Sequence, residues 1–533
     1  MHLKANSPAV ASHGKTVIGF NWIAGKEVEG DLPSFDAKSA VDSRDTVGIF
    51  PECGERDVDK AAKAAAAAFK TWSVTPAPVR GEVIGRIGEA LAKHKEKLAA
   101  VITREIGKPP RAALAEVQEA IDICRFFQSE GWRLHERTVP SGRPGQAHVS
   151  HRRPLGVCAI MAGNSSPLAA PCWKLIPSIL YGNTVVWKPS VNAPTTAYLL
   201  VRCMMDAGLP PGVVNVVNGK GRAGCGKFFV AGIDKGFYQK FSFTGSTAMG
   251  RVIGELAGRN LILPSLEMGG KNPLVIMPDC DLDRAVQGAL QGVFASAGQS
   301  RTALANIILH QDVARDFKTR FLAAVDAMET GNPVTDPDVF YGPMINARFA
   351  KSFEEHWALG QEDGARLVRG GARWTEDNRT ERVKGFVGKG VYMQPCVWDE
   401  VTPGMKLFQT EVFGPTVNLA TVASFDEALA AANGTPYGLT SGIHTENREW
   451  IDRFKRESSA GMVSINGACG SETHLPFGGT GWSGNGTSEG GRWTIDGYTR
   501  WHTVNDDPQG RLQSVPTTPD PAIKYELSHW DRL

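Results

Sequence analysis

Ser265-Leu266-Glu267-Met268-Gly269-Gly270-Lys271-Asn272-Pro273 sets one carboxylate before two glycines, between apolar stretches. A carboxylate in that setting is a candidate general base. Phe243-Thr244-Gly245-Ser246 passes from a strand through a tight glycine turn to a hydroxyl that opens a helix. The free N–H groups and dipole of a helix start favour a phosphate there, although the same residues also make an ordinary serine-capped helix. Gly219-Lys220-Gly221-Arg222-Ala223-Gly224 matches GxGxxG after a strand. No acidic residue stands about 20 positions on, where a ribose partner belongs. Lys188 closes a strand beside Pro189, where a cation can hold a ribose or its 2′-phosphate. Glu411-Val412-Phe413-Gly414-Pro415 and Pro476-Phe477-Gly478-Gly479 are two more segments where backbone can come close to a ligand.

The elements that must position these residues alternate. Residues 57–131 read as helical: Asp57 caps an Ala-rich run reaching Trp72, a second amphipathic stretch runs from Arg80 to Ile106, and a third from Arg111 to Phe127. Residues 135–152 read as a β-hairpin arm around a Gly/Pro-rich turn. Strands at 157–161, 184–187, 213–217 and 240–243 then alternate with helices at 170–180, 195–207 and 245–256. This succession predicts a parallel sheet with helices on both faces and ligands at the carboxyl ends of its strands. A second α/β succession runs from Pro273-Leu274-Val275-Ile276 through 305–309 to Met462-Val463-Ser464-Ile465. No internal repeat is evident, and the last thirty residues read as an extended tail.

At 533 residues the chain is too long for one ordinary core. The net charge of +2 gives no electrostatic case for nucleic acid or an anionic membrane. No apolar run approaches the roughly 20 residues of a membrane helix, and the start lacks the apolar core of a signal peptide. Nine cysteines without CxxC spacing read as buried thiols in a reducing compartment, the cytoplasm, and no metal motif appears.

Taken together the chain resembles the aldehyde dehydrogenase superfamily over about residues 20–505. The resemblance rests on seven ordered signatures: Trp187-Lys188-Pro189-Ser190, Phe243-Thr244-Gly245-Ser246, Leu266-Glu267-Met268-Gly269-Gly270-Lys271, Gly298-Gln299, Glu411-Val412-Phe413-Gly414-Pro415, Tyr437-Gly438-Leu439, and Pro476-Phe477-Gly478-Gly479 with Ser483-Gly484. It implies an α/β fold: a Rossmann-type dinucleotide-binding domain (1–134 and 153–265), an α/β catalytic domain (266–479), a β-arm for oligomerisation (135–152 and 480–505) and a tail (506–533). It implies a homodimer or homotetramer that oxidises an aldehyde with NAD or NADP. Lys188, Ser190, Gly219, Gly245, Ser246, Gly269, Glu411 and Phe413 would line the dinucleotide. In the family a cysteine thiolate attacks the carbonyl, an Asn amide and a backbone N–H hold the oxyanion, and a glutamate, here Glu267, activates water.

Three positions depart from that pattern. The residue two after the Gly-Gln pair, where the family keeps its nucleophile, is Arg301, and no cysteine lies between Cys280 and Cys396. A guanidinium stays protonated and cannot attack a carbonyl. Ser300 faces the wrong way by one position, and Cys469 reads as a pocket-lining thiol. A buried Arg301 must pair with Glu267, pair with a bound anion, or swing out. Either the chain binds ligand without the usual oxidation, possesses non-cysteine chemistry on an anion held by Arg301, or carries an inactivating Cys→Arg change. The intact neighbours favour the last. Around Asn164 the family has Trp-Asn-Phe-Pro, against Gly163-Asn164-Ser165-Ser166-Pro167 here. An ungapped count puts Ser165 at the oxyanion position, one inserted residue puts Asn164 there, and the chemistry favours Asn164. Val191 stands where strict NAD users often carry a ribose-binding glutamate, which tilts the cofactor toward NADP. The ending Ser483–Thr487 and Gly510-Arg511-Leu512-Gln513 resemble the branch acting on semialdehydes, while Trp482, Trp493 and Trp501 would suit an aromatic aldehyde.

Overall fold

The computed structural model describes residues 14–134, 136–141, 147–221, 224–467, 472–486 and 489–506. Cys469, Thr487, the 510–513 motif and the tail from 507 lie outside the described residues. Two seven-stranded sheets carry the chain. The first runs in the order Ser265–Glu267, Lys240–Thr244, Val157–Met161, Thr184–Lys188, Val214–Val216, Asn21–Ile23, Lys26–Val28. Its first five strands are parallel and its last two are antiparallel additions. The inner strands are buried along nearly their whole length, which is why they read as continuous apolar runs rather than alternating ones. The register pairs Thr244 with Glu267, Phe243 with Met161, and Met161 with Lys188. The carboxyl ends of four neighbouring strands therefore form one row, with Glu267 and Lys188 at its two ends.

The second sheet runs in the order Arg366–Arg369, Cys396–Asp399, Thr416–Val422, Leu304–His310, Asn272–Ile276, Thr440–His444, Met462–Ile465. Only its first strand is antiparallel. Ser265–Glu267 and Asn272–Ile276 belong to different sheets, so the glycines between them carry the chain from one sheet to the other. A third, antiparallel sheet joins Arg137–Val139, Ala147–Pro154 and Thr499–Asp506, as the arm reading expects of its two ends. Among the described residues no helix is long and apolar enough to cross a membrane.

Two helical expectations need correction. Asp57 is not the cap of the first helix: the helix spans Glu55–Trp72, Gly54 caps it, and Asp57 sits in its first turn. The carboxylate of Asp57 accepts from the N–H groups of Gly54 and Asp31, so it secures the helix start from inside. The stretch from Arg80 to Ile106 is not one helix but two, Ala77–Lys93 and Lys95–Ile106, broken at His94. Both halves bury apolar residues in the same core, and the periodicity does not show the break.

Candidate active site

Glu267 ends its strand fully buried. The N–H of Leu266 donates to Asn485 Oδ1, and the N–H of Met268 to the Ser483 carbonyl. The Ser483-Gly484 signature is thus the brace that fixes the carboxylate. The loop bearing Arg301 is pinned as firmly. Asn272 Nδ2 donates to the carbonyls of Arg301 and Ala303, while its Oδ1 accepts from the Thr440 N–H. Gln299 donates to the Pro343 carbonyl and accepts from the Ile345 N–H, which is the physical task of the Gly-Gln pair. Ser296, Ala297 and Gly298 all have positive φ. At the two non-glycines this costs roughly 1–2 kcal/mol each, strain the surrounding hydrogen bonds hold in place.

Arg301 does not swing out. Its Nη2 donates to Glu489 Oε2 at 2.6 Å, and its Nη1 lies 3.7 Å from Glu267 Oε2. The guanidinium carbon stacks 4.4 Å from the centre of the Phe477 ring. Glu489 also meets Lys174 Nζ at 2.5 Å. Lys174, Glu267 and Glu489 are buried, and Arg301 is 16% exposed at its side chain. Two cations and two carboxylates thus form one compact network. Burial pushes the Glu489 carboxyl up, but the Arg301 and Lys174 charges reverse this and hold it at about 2. Burial lowers the Arg301 pKa, and Glu489 and Glu267 more than restore it, so the group stays charged.

Pairing of Arg301 with Glu267 was expected; its closer partner Glu489 was not. Glu489 lies among glycines with no motif of its own, and backbone pairing with Phe477 brings it in. One signal was readable: Lys174 sits inside the apolar helix Ala169–Leu180, and a charge there demands a buried partner.

A cavity of about 290 Å³ opens at Arg301, lined among others by Glu119, Ser165, Trp173, Ser300 and Phe477. Ser300 therefore shares the cavity with Arg301, contrary to the one-position argument. Residues 299–303 form an irregular turn in which side chains do not alternate as on a strand. From the Gly163–Pro167 loop the lining takes Gly163, Ser165 and Ser166, and Asn164 is not part of it. Glu119, on the helix Pro110–Glu130, is a cavity residue that sequence reasoning missed, because one acid on an amphipathic helix looks like any solvated one.

The expected dinucleotide residues fall along the row of strand ends and beyond it. Lys188 is buried, its Nζ donates to the Pro189 carbonyl at 3.0 Å, and burial lowers its pKa. Ser190 Oγ accepts from the Asn192 N–H. Ser246 caps the helix Thr247–Arg259, so the first N–H groups of a 13-residue helix point at the row. A Cβ on Gly245 would lie 2.4 Å from the Phe243 ring, and one on Gly269 1.5 Å from Glu411 Oε1. The missing side chains are what let the turn and Glu411 approach. Phe413 packs on the Phe349 ring at 5.7 Å. These groups fit a bound dinucleotide. The Gly219 loop does not fit a phosphate cradle: Glu52 is buried against it and accepts from the Lys220 N–H, so an anion there would meet a carboxylate. Val191 packs against the apolar cluster of Phe35 and Phe50.

A model of the aldehyde dehydrogenase family matches residues 28–504. The chain belongs to the aldehyde dehydrogenase family. This makes it an NAD(P)-binding oxidoreductase fold that acts on aldehydes. It is 32% identical over 501 residues to an alpha-ketoglutaric semialdehyde dehydrogenase of Bacillus subtilis, covering 93% of this chain and 99% of that one. It is 34% identical over 452 residues to a 2,5-dioxopentanoate dehydrogenase of Saccharolobus solfataricus, covering 84% and 91%. Among solved structures, betaine aldehyde dehydrogenase from Staphylococcus aureus in complex with NAD+ superposes with a TM-score of 0.88 at 26% identity, covering 94% of this chain and 97% of that one.

Proposed function

We propose that this aldehyde dehydrogenase binds NAD(P) and an aldehyde in the family's manner, with Arg301 standing where the nucleophilic cysteine belongs. The carrying observation is the Arg301 turn itself: Asn272 and Gln299 pin it, and it aims at Glu267. None of the eight described cysteines lines the cavity. The thiohemiacetal route is closed to such a site. Arg301 is paired with Glu489 and stacked on Phe477, so the surroundings accommodate it. That fit favours a natural member of the family over an incidental Cys→Arg change.

The substrate class this reading favours is a semialdehyde, on the strength of the two curated relatives. Trp482 and Trp501 stack on arginines away from the cavity, and neither they nor Trp493 lines it, which weakens the case for an aromatic aldehyde. Lys188 and Ser190 would face the adenine ribose, Ser246 the pyrophosphate, and Glu411 with Phe413 the nicotinamide ribose. The dinucleotide, when bound, supplies the oxidant. With no carboxylate at Val191 to repel a 2′-phosphate, NADP is preferred over NAD. The three-stranded arm would join subunits of a dimer or tetramer.

The test is Arg301→Cys, assayed for NAD(P)H formation on a panel of semialdehydes and aromatic aldehydes. A large gain with semialdehydes supports the assignment, and no gain with dinucleotide still bound sinks it.

Glu411 makes a second, cofactor-level prediction. Burial pushes its carboxyl up to about 7 against the opposing charge of Lys271, itself lowered by burial to about 7, with His356 near both. Only the ionised carboxylate accepts from both ribose hydroxyls. Dinucleotide affinity is therefore expected to rise as pH is raised through about 7, and Glu411→Gln to flatten that rise. Fluorescence titration of the bound dinucleotide across this range checks it, and an unchanged profile in the variant would refute the contact.

A further inference from the structure

The Arg301 cavity contains buried donors without a hydrogen-bond acceptor, although one of them, Arg301 Nη1, also lies in an ion pair with Glu267 at 3.7 Å. Arg301 Nη1, Thr244 Oγ1 and Thr440 Oγ1 are buried, line the cavity or belong to residues that do, and have no hydrogen-bond partner among the described residues. Thr244 is 9% exposed and Thr440 3%. Buried donors left unpaired are costly, so they mark the place of a ligand's acceptor oxygen. The charge balance says what kind of ligand. Lys174 and Arg301 are already matched by Glu489 and Glu267, so an anion would face two carboxylates and find no net positive charge. A neutral carbonyl suits the donors better. One further carboxylate reaches the cavity, Glu119, with Oε1 held by the Trp173 indole N–H at 2.7 Å. Glu267 is fully buried and is not part of the lining, whereas Glu119 is part-exposed and is.

We propose that this site hydrates aldehydes reversibly without a dinucleotide, with Glu119 as its base and Arg301 as its oxyanion holder. The inference rests on the reading that this cavity receives an aldehyde. Water oxygen forms a bond to the carbonyl carbon, and the carbonyl π pair moves to its oxygen, held by Arg301 Nη1 and the threonine hydroxyls. The proton released by water passes to Glu119 and returns from it to the new oxyanion, giving the geminal diol. Nothing is oxidised, and the reverse step releases aldehyde. Burial raises the proton affinity of Glu119 above a carboxylate's ordinary value, against the Trp173 hydrogen bond, which brings it nearer to both halves of the cycle.

The experiment is exchange of the acetaldehyde oxygen with ¹⁸O-water, followed by mass spectrometry with no dinucleotide present. Wild-type protein is expected to speed exchange in proportion to its concentration. Glu119→Gln is expected to lower that increment by roughly 10²-fold or to buffer level, the scale of a lost general base. Asp326→Asn, at an exposed ion pair with Arg369 outside the cavity, is expected to keep it. Carbon-13 NMR of labelled acetaldehyde with excess protein is expected to show the bound carbon as the diol, a readout independent of folding losses in any variant. Exchange no faster than buffer, or exchange kept in Glu119→Gln, overturns the proposal. If the wild type fails to exchange while Arg301→Cys oxidises aldehydes, the hydration inference falls and the proposed aldehyde site stands. If Arg301→Cys is silent as well, with dinucleotide bound, the proposed aldehyde site falls with it.

Discussion

Arg301→Cys is expected to raise the rate of NAD(P)-dependent aldehyde oxidation by roughly three orders of magnitude or more, the scale on which the loss of a nucleophile acts in reverse. The other parts stand ready: Glu267 at its strand end, the pinned turn, and the row of strand ends where we propose the dinucleotide lies. Removing the guanidinium uncovers Glu267, which in the wild type is ion-paired with it. Glu489 keeps Lys174 as its partner, so the variant should fold. The gain should come with sensitivity to iodoacetamide, since none of the eight described cysteines of the wild type lines the cavity. The oxyanion side sets how large the gain is. The cavity takes Ser165 rather than Asn164 from its loop, which we read as a serine hydroxyl standing in the place of the amide. Adding Ser165→Asn to Arg301→Cys is therefore expected to raise kcat further, on the order of tenfold to a hundredfold, within the range of one oxyanion-hole donor. Steady-state kinetics on the single and double variants measure both steps. A double variant no faster than the single one would return the oxyanion role to Asn164.

Glu489→Leu is expected to destabilise the protein by about 3–5 kcal/mol, the range for breaking a buried ion pair on one side. Glu489 is 1% exposed and, among the described residues, is the carboxylate shared by Lys174 and Arg301. Without it Lys174 is a buried cation with no other ion pair among the described residues, and Arg301 is left with Glu267 at 3.7 Å. Adding Lys174→Met should recover much of the loss, because two apolar side chains replace a desolvated pair. Urea denaturation of the wild type, single and double variants reads both quantities. A loss under about 1 kcal/mol would mean that the network behaves as a solvated surface pair.

Much of this protein is written locally. Strand, glycine turn and helix cap at Phe243–Ser246, the strand end at Lys188, and the glycines after Glu267 depend on residues a few positions apart, so their types and spacing already state their geometry. The same holds for Arg301: its place after Gly298-Gln299 was legible, because the turn is made by its own glycine and glutamine. What the chain does with that arginine was not legible. Its partner Glu489 lies 188 positions away, that carboxylate's other cation, Lys174, lies 127 positions from Arg301, and only the tertiary fold brings the three together. Glu119 looked like any acid on a helix until the fold turned it into the cavity. The sheet edge decided which residues share the row of strand ends, and the irregular turn decided that Ser300 faces inward. Identity at each position was set by sequence alone; which charges neutralise one another, and which are left facing a ligand, was decided by tertiary structure, because burial and pairing arise only when distant segments meet.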